Sequence, residues 1–186
     1  MVPLTALWLP ILLSAVIVFL ASFAIHMVLT YHRCDYAKVP SEDDVMEALR
    51  NFGIPPGDYF LPHSSGSAQM KSPEYMKKVE RGPLVVMTVM PPGGPAMGKR
   101  LAQWFLFLIV VGVFAGYVAG RTLAPQTPYL TVFRIVGTVA FTGYVLALWQ
   151  SSIWYARKWS TTWRSSFDGL VYALLTAGTF GWLWPR

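Results

Sequence analysis

The residue types that could carry chemistry gather in one short stretch, HMVLTYHRCDY at residues 26–36. His26, His32, Cys34 and Asp35 offer the nitrogen, sulfur and oxygen atoms that transition metals bind. On an ideal helix, however, residues six apart are rotated by about 600°. His26 and His32 therefore point in different directions unless the helix breaks near Thr30. We predict no metal site here. We interpret the stretch as the segment in which the chain leaves the membrane, with ordinary polar residues at the interface.

His26 is a candidate on its own because it lies inside a long apolar segment, where ionisable side chains are usually functional. It is the one residue for which we consider a cofactor, as a single-histidine ligand of a pigment or haem. A bis-histidine haem would need a second buried histidine, yet His63 lies in a polar region. We therefore predict no cofactor, with His26 hydrogen-bonded to a neighbouring helix.

The remaining sequence carries no catalytic motif. Arg134 lies near the outer start of the third predicted span and Asp168 at the cytoplasmic start of the fourth, so we do not expect them to pair. No Gly-rich phosphate loop, nucleophile elbow or paired-carboxylate pattern is present. We predict no catalytic residue and a protein that is not an enzyme.

The elements that position these residues are membrane spans. The chain has 186 residues, of which 54% are hydrophobic and only 13% charged, against about 25% charged in soluble domains. Four apolar segments reach the ~20 residues that a helix needs to cross a bilayer, at roughly 5–29, 101–121, 129–155 and 167–185. We predict an all-α membrane protein with four transmembrane helices, divided into residues 1–29, 30–100 and 101–186. The single cysteine excludes an internal disulfide.

Residues 30–100 form the only sizeable polar region. SEDDVMEALRNFG predicts a short helix capped by Ser41 and stopped at Gly53, and SPEYMKKVERG predicts a second one from Ser72 to Gly82. Two β-like runs, at 57–62 and 83–91, flank the second helix, and we expect them to pair.

The stretch SSIWYARKWSTTWRSSFDG at 151–169 alternates aromatic rings with cations. Eleven residues between two spans offer no groove for nucleic acid, so we exclude that partner. The rings instead indicate an aromatic belt at the membrane interface, and the cations indicate a loop on the cytoplasmic side. The belt residues are Trp154, Tyr155, Trp159 and Trp163. We predict that both termini face outward and that residues 30–100 face the cytoplasm.

Small residues recur every four positions in two of the spans, a pattern that lets helix backbones approach closely in lipid. The stripe of the second span is Gly112, Gly116 and Gly120, and that of the fourth is Gly169, Ala173, Ala177 and Gly181. The sequence leaves open whether the stripes meet each other or a second chain. A membrane-protein partner and a homo-oligomer both remain possible, beside the bilayer itself.

The ending WYARKWSTTWRSSFDGLVYALLTAGTFGWLWP, with PPGDY at 55–59 and MGK at 97–99, resembles a family of uncharacterised four-span integral membrane proteins of bacteria. The resemblance implies a location in the bacterial inner membrane and transfers no functional residue. With no catalytic set, we predict a non-catalytic accessory or scaffold subunit of a membrane assembly. The alternative is a redox, metal or cofactor-binding component that uses His26, His32, Cys34 or Asp168.

Overall fold

The computed structural model describes residues 1–94 and 96–186, which fall into two compact units. The helical unit comprises Met1–Ala37 and Met97–Arg186, and the polar unit comprises Lys38–Ala96. In chain order the α-helices and strands are α1 Trp8–Phe23, α2 Glu42–Asn51, β1 Gly57–Leu61, α3 Ser67–Met70, α4 Pro73–Arg81, β2 Val85–Val89, α5 Met97–Thr122, α6 Tyr129–Val145, α7 Trp149–Tyr155 and α8 Trp159–Trp182. Short 3₁₀ turns lie at Leu4–Leu7, Tyr31–Cys34 and Leu146–Leu148, and a π turn at Ala24–Val28.

Three helical segments among the described residues are long and apolar enough to cross a membrane: Leu4–Val28, Met97–Thr122 and Tyr129–Tyr155. They agree with the first three predicted spans. The fourth, predicted at 167–185, is not among them. It belongs to α8, which begins at Trp159. The predicted connection of eleven residues is therefore mostly helix.

The early start of α8 has a tertiary cause. Thr162 and Ser166 look like loop residues in the sequence, yet both are buried. The Thr162 hydroxyl shares a 2.6 Å hydrogen bond with Ser152, and Ser166 accepts one from the indole of Trp149 at 3.2 Å. Because α7 satisfies these hydroxyls, they can lie on the inner face of a helix. The same polar residues lower the hydropathy of α8.

Each small-residue stripe packs against a different neighbour within the chain. Gly112 lies against Ile11 of α1, and Gly120 against the backbone of Val2. On α8, Gly169 lies against Val145, and Gly181 against the ring of Tyr129 at the start of α6. The stripe of α5 thus packs against α1 and the segment before it, with Gly116 also facing the Phe180 ring of α8, whereas the stripe of α8 packs against α6.

Gly120 gives a direct test of close packing. A Cβ at this position would lie 2.5 Å from the Val2 carbonyl oxygen, and the Val2 N–H donates to the Gly120 carbonyl at 2.8 Å. We expect Gly120→Ala to lower the free energy of unfolding in detergent by about 1–3 kcal/mol, a typical cost of overpacking. Gly98→Ala on the same helix is the control, because nothing lies within 4 Å of its Cβ position. Equal stability of both variants would contradict the packing described.

The polar unit is a hairpin with short helices and no buried residue among those described. β1 and β2 pair antiparallel, with Gly57 opposite Val89 and Leu61 opposite Val85, as predicted. Ser72 caps α4 by accepting from the Tyr75 N–H at 3.2 Å. Ser41 precedes α2 but makes no capping hydrogen bond, so that part of the prediction is wrong. Its φ of 48° places its backbone in the left-handed region, whereas a capping serine is typically extended.

Candidate metal centre

Two departures from the α-helix bring His26 and His32 together. α1 widens into a π turn at Ala24–Val28, and Leu29 is extended before the 3₁₀ turn at Tyr31–Cys34. The two imidazole rings consequently stack, with centroids 4.7 Å apart and an interplanar angle of 10°. This is the convergence that an unbroken helix forbids. Single π turns inside α-helices are frequent at functional sites.

His32 lies between two carboxylates. Its Nδ1 is 2.7 Å from Asp35 Oδ2, and its Nε2 is 2.8 Å from Asp168 Oδ2. Residues three apart eclipse on a 3₁₀ turn, which places Asp35 beside His32. Asp168 comes from α8, 136 residues further along the chain.

Two further side chains fix the carboxylates. Arg164, one helical turn before Asp168, donates from Nε and Nη2 to Asp35 Oδ1 at 2.8 and 2.6 Å. The Tyr31 hydroxyl donates to Asp168 Oδ1. The side chains of Asp35 and Asp168 are only 8% and 4% exposed, so each carboxylate needs these partners.

The electrostatics of the cluster follow from this burial. Burial alone raises the pKa of Asp35, but hydrogen bonds from His32 and Arg164, with their charges, outweigh it. The net pKa of Asp35 lies below its ordinary value. Burial, followed by the hydrogen bond to Asp168 and the nearby negative charges, raises the pKa of Tyr31. Asp35 is thus ionised, and Tyr31 keeps the proton that it donates.

His26 is oriented by a hydrogen bond within its own helical segment, not by one to a neighbouring helix as predicted. Its Nδ1 donates to the Ser22 carbonyl at 3.0 Å, because a carbonyl oxygen can only accept. Ser22 is held in turn, since its hydroxyl donates to the Phe19 carbonyl and accepts from the indole of Trp104 on α5. This tautomer leaves the lone pair on Nε2 of His26 available to a ligand.

The resulting arrangement is a potential metal site. His26, His32 and Asp168 each offer one ligand atom, and these three atoms lie within 4.8 Å of one another. Tetrahedral zinc bonds of about 2.0–2.1 Å hold ligand atoms about 3.3 Å apart, so the widest separation would shrink by about 1.5 Å on binding, while His32 Nε2 and Asp168 Oδ2, now 2.8 Å apart, would separate slightly. The exposed His26 can make most of that movement. Each histidine has its other ring nitrogen on an oxygen acceptor, as is usual for metal-bound histidines.

The other residues singled out in the sequence lie apart from this centre or at its edge. Cys34 is exposed, and its thiol donates to the Tyr31 carbonyl. Arg134 is exposed on α6 and is not a partner of Asp168. All four residues assigned to the aromatic belt are exposed, as a belt requires, and the belt assignment stays a prediction. Trp159 and Trp163 additionally pack their rings against Trp149.

The sequence analysis grouped His26, His32 and Asp35 with Cys34 as potential ligands and rejected a metal site there. It treated Asp168 separately and missed Tyr31 and Arg164. One available signal was the spacing of Arg164 and Asp168, which places both on one face of a helix. Comparisons with protein-family models, curated proteins and solved structures found no match. The bacterial family predicted from the sequence has no support from them, and the geometry alone carries the functional argument.

Proposed function

We propose that this membrane protein binds one divalent transition-metal ion through His26, His32 and Asp168. The observation that carries the proposal is the convergence of three ligand atoms within 4.8 Å, with both histidines oriented through their second nitrogen. Two histidines and one carboxylate form the ligand set of zinc sites with an open position and of non-haem iron sites. This proposal takes up the metal-binding alternative raised by the sequence.

A purely structural role accounts for part of the cluster only. Asp168, His32, Asp35 and Arg164 together connect α8 to the segment after α1 through hydrogen bonds and an ion pair. His26 takes no part in these hydrogen bonds, since its own goes to the Ser22 carbonyl. Its exposed ring is nevertheless stacked on His32 and fixed in one tautomer by the Ser22 carbonyl. Metal binding would explain why the His26 ring is held in this orientation.

α8 has 24 residues, or about 36 Å at 1.5 Å per residue, enough to cross a hydrocarbon core of about 30 Å. Its contacts from Gly169 to Gly181 follow α6, itself part of a candidate span, from Val145 back to Tyr129. We therefore propose α8 as a fourth span in a bacterial inner membrane, with both termini outside and the polar unit cytoplasmic.

An accessory or scaffold role remains a second proposal, supported by the polar unit. The apolar face of α2, formed by Val45 and Leu49 and continued by Phe52 directly after the helix, is exposed, as a partner-binding helix requires. This role and metal binding are compatible, because they use different units of the chain.

Zinc binding by the detergent-solubilised protein tests the metal proposal. We expect one Zn²⁺ per chain by isothermal titration, and a loss of affinity of at least about 100-fold in His26→Ala, or roughly 2.7 kcal/mol. His63→Ala is the matched control, because His63 lies in the polar unit, and it should bind like the native protein. Equal affinity of the His26→Ala variant and the native protein would refute the site.

A further inference from the structure

An apolar groove of about 400 Å³ lies between α6 and α8. Its sides include Phe141 of α6 and Leu170 and Leu174 of α8. The two leucines are 41% and 46% exposed, whereas Ala173 at the bottom of the groove is only 2% exposed. Because α6 is part of a candidate membrane span, the open side of the groove faces lipid.

Arg134 is the one charged side chain in the lining of this groove. It is exposed on α6, and within the part of the chain that the structure describes its guanidinium has no hydrogen-bond or ion-pair partner. The helical unit contains only two acidic side chains, Asp35 and Asp168, and both are hydrogen-bonded to His32. The helical unit of a second copy would bring only the same two. An anion that pairs with Arg134 therefore comes from outside the helical unit.

Arg134 lies at a depth from which it can reach the phosphate groups of a bilayer. The candidate span Tyr129–Tyr155 has 27 residues, or about 40 Å, against a hydrocarbon core of about 30 Å. Roughly the first 5 Å of this span therefore lies among the headgroups. Arg134 follows Tyr129 by about 7.5 Å, and the long side chain of an arginine extends outward over the remaining distance.

From Arg134 the groove runs towards the middle of the bilayer. Phe141 lies about 10 Å further along α6. α8 is antiparallel to α6, as the contacts of its glycines show, so Leu174 and then Leu170 lie at increasing depth. An acyl chain that starts from a phosphate on Arg134 therefore extends into the hydrocarbon core.

We propose that this groove binds an anionic phospholipid, with the headgroup phosphate on Arg134 and one acyl chain along Phe141, Leu170 and Leu174. Charge complementarity selects the headgroup, because the planar guanidinium binds two phosphate oxygens at once. The apolar lining matches an acyl chain and not a soluble anion. The inference is independent of the proposed metal site, because the groove and that centre share no residue.

Lipid titration of the full chain in nonionic detergent, followed by native mass spectrometry, tests the proposal because it resolves the first bound lipid. We expect anionic phosphatidylglycerol to bind about fivefold more tightly than zwitterionic phosphatidylcholine with the same acyl chains, the usual contribution of one arginine to the binding of anionic lipid. Glycerol phosphate has no acyl chain to bury and should bind at least about tenfold more weakly than phosphatidylglycerol. Equal affinity for the two lipids would overturn the proposal, and so would glycerol phosphate that binds as tightly as the lipid.

Substitution of Arg134 tests the headgroup end of the groove. Arg134→Gln should remove the preference for phosphatidylglycerol, whereas Arg134→Lys keeps the charge and should retain the preference. Arg121→Gln is the control, because Arg121 ends α5 on the same side of the helical unit as the start of α6 but lies outside this groove. The same loss of preference in Arg121→Gln as in Arg134→Gln would overturn the site in favour of general surface charge. Zn²⁺ affinity should be unchanged in Arg134→Gln, so a failed lipid site is distinguishable from a failed metal site.

The double variant Leu170→Ala with Leu174→Ala tests the acyl end. It should weaken the binding of both lipids by at least about fivefold, because apolar contact area is lost, without changing their ratio. Leu9→Ala with Leu12→Ala on α1 is the matched control, since these leucines are 41% and 43% exposed, and it should bind lipid like the native protein. Equal losses in the two double variants would overturn the placement of the acyl chain in this groove.

Discussion

Replacement of Asp168 by alanine is expected to lower the free energy of unfolding by about 3–5 kcal/mol, the usual effect of removing one partner from a buried ion pair. Asp168 is 3% exposed and accepts hydrogen bonds from both His32 and Tyr31. Without it, the His32 ring and the Tyr31 hydroxyl lose their hydrogen-bond partner at once. The side chain also connects α8 to the segment after α1, so its removal weakens the contact between these two parts of the helical unit.

Denaturant unfolding in detergent, followed by tryptophan fluorescence, measures this effect. Asp43→Ala is the control, since Asp43 is exposed on α2, and it should change stability by less than about 0.5 kcal/mol. Adding His32→Ala to Asp168→Ala should cost much less than the sum of the two single changes, because the two side chains are in contact. Strict additivity would show that the two residues are not coupled.

The second large effect concerns metal affinity at a residue that does not touch the metal. Asp35 accepts from Nδ1 of His32 and thereby orients the ring whose Nε2 is the proposed ligand. We expect Asp35→Asn to weaken Zn²⁺ binding by about 10–100-fold, the usual effect of changing such a supporting group. The stoichiometry should stay at one ion per chain, since all three ligands remain.

Titration of Zn²⁺ into Asp35→Asn and into Asp43→Asn separates this specific effect from the loss of a negative charge. Both variants lose one carboxylate, but only Asp35 lies beside His32. Similar affinities in the two variants would contradict the supporting role of Asp35.

Much of the fold could be predicted because it follows from local patterns. Apolar length predicts the first three spans, and alternation with turn residues predicts the pairing of β1 with β2. The start of α8 could not be predicted in this way. Thr162 and Ser166 favour a loop by composition, and only their hydrogen bonds to Ser152 and Trp149 explain why they are helical.

The candidate site could not be predicted from such local patterns. The stretch at 26–36 contains the right residue types, but the prediction assumed a regular helix that separates His26 from His32. The π turn at Ala24–Val28 has no signature in the apolar pattern. Asp168 is 136 residues from His32, and no local spacing brings the two together.

X-ray absorption spectroscopy of the Zn²⁺-loaded protein tests the central claim most directly, because it reports the atoms bound to the ion. The account predicts two imidazole nitrogens and light oxygen ligands at about 2.0–2.2 Å, with one imidazole remaining in His26→Ala. A spectrum with a sulfur ligand at about 2.3 Å, or with the same imidazole signal in His26→Ala as in the native protein, would contradict it.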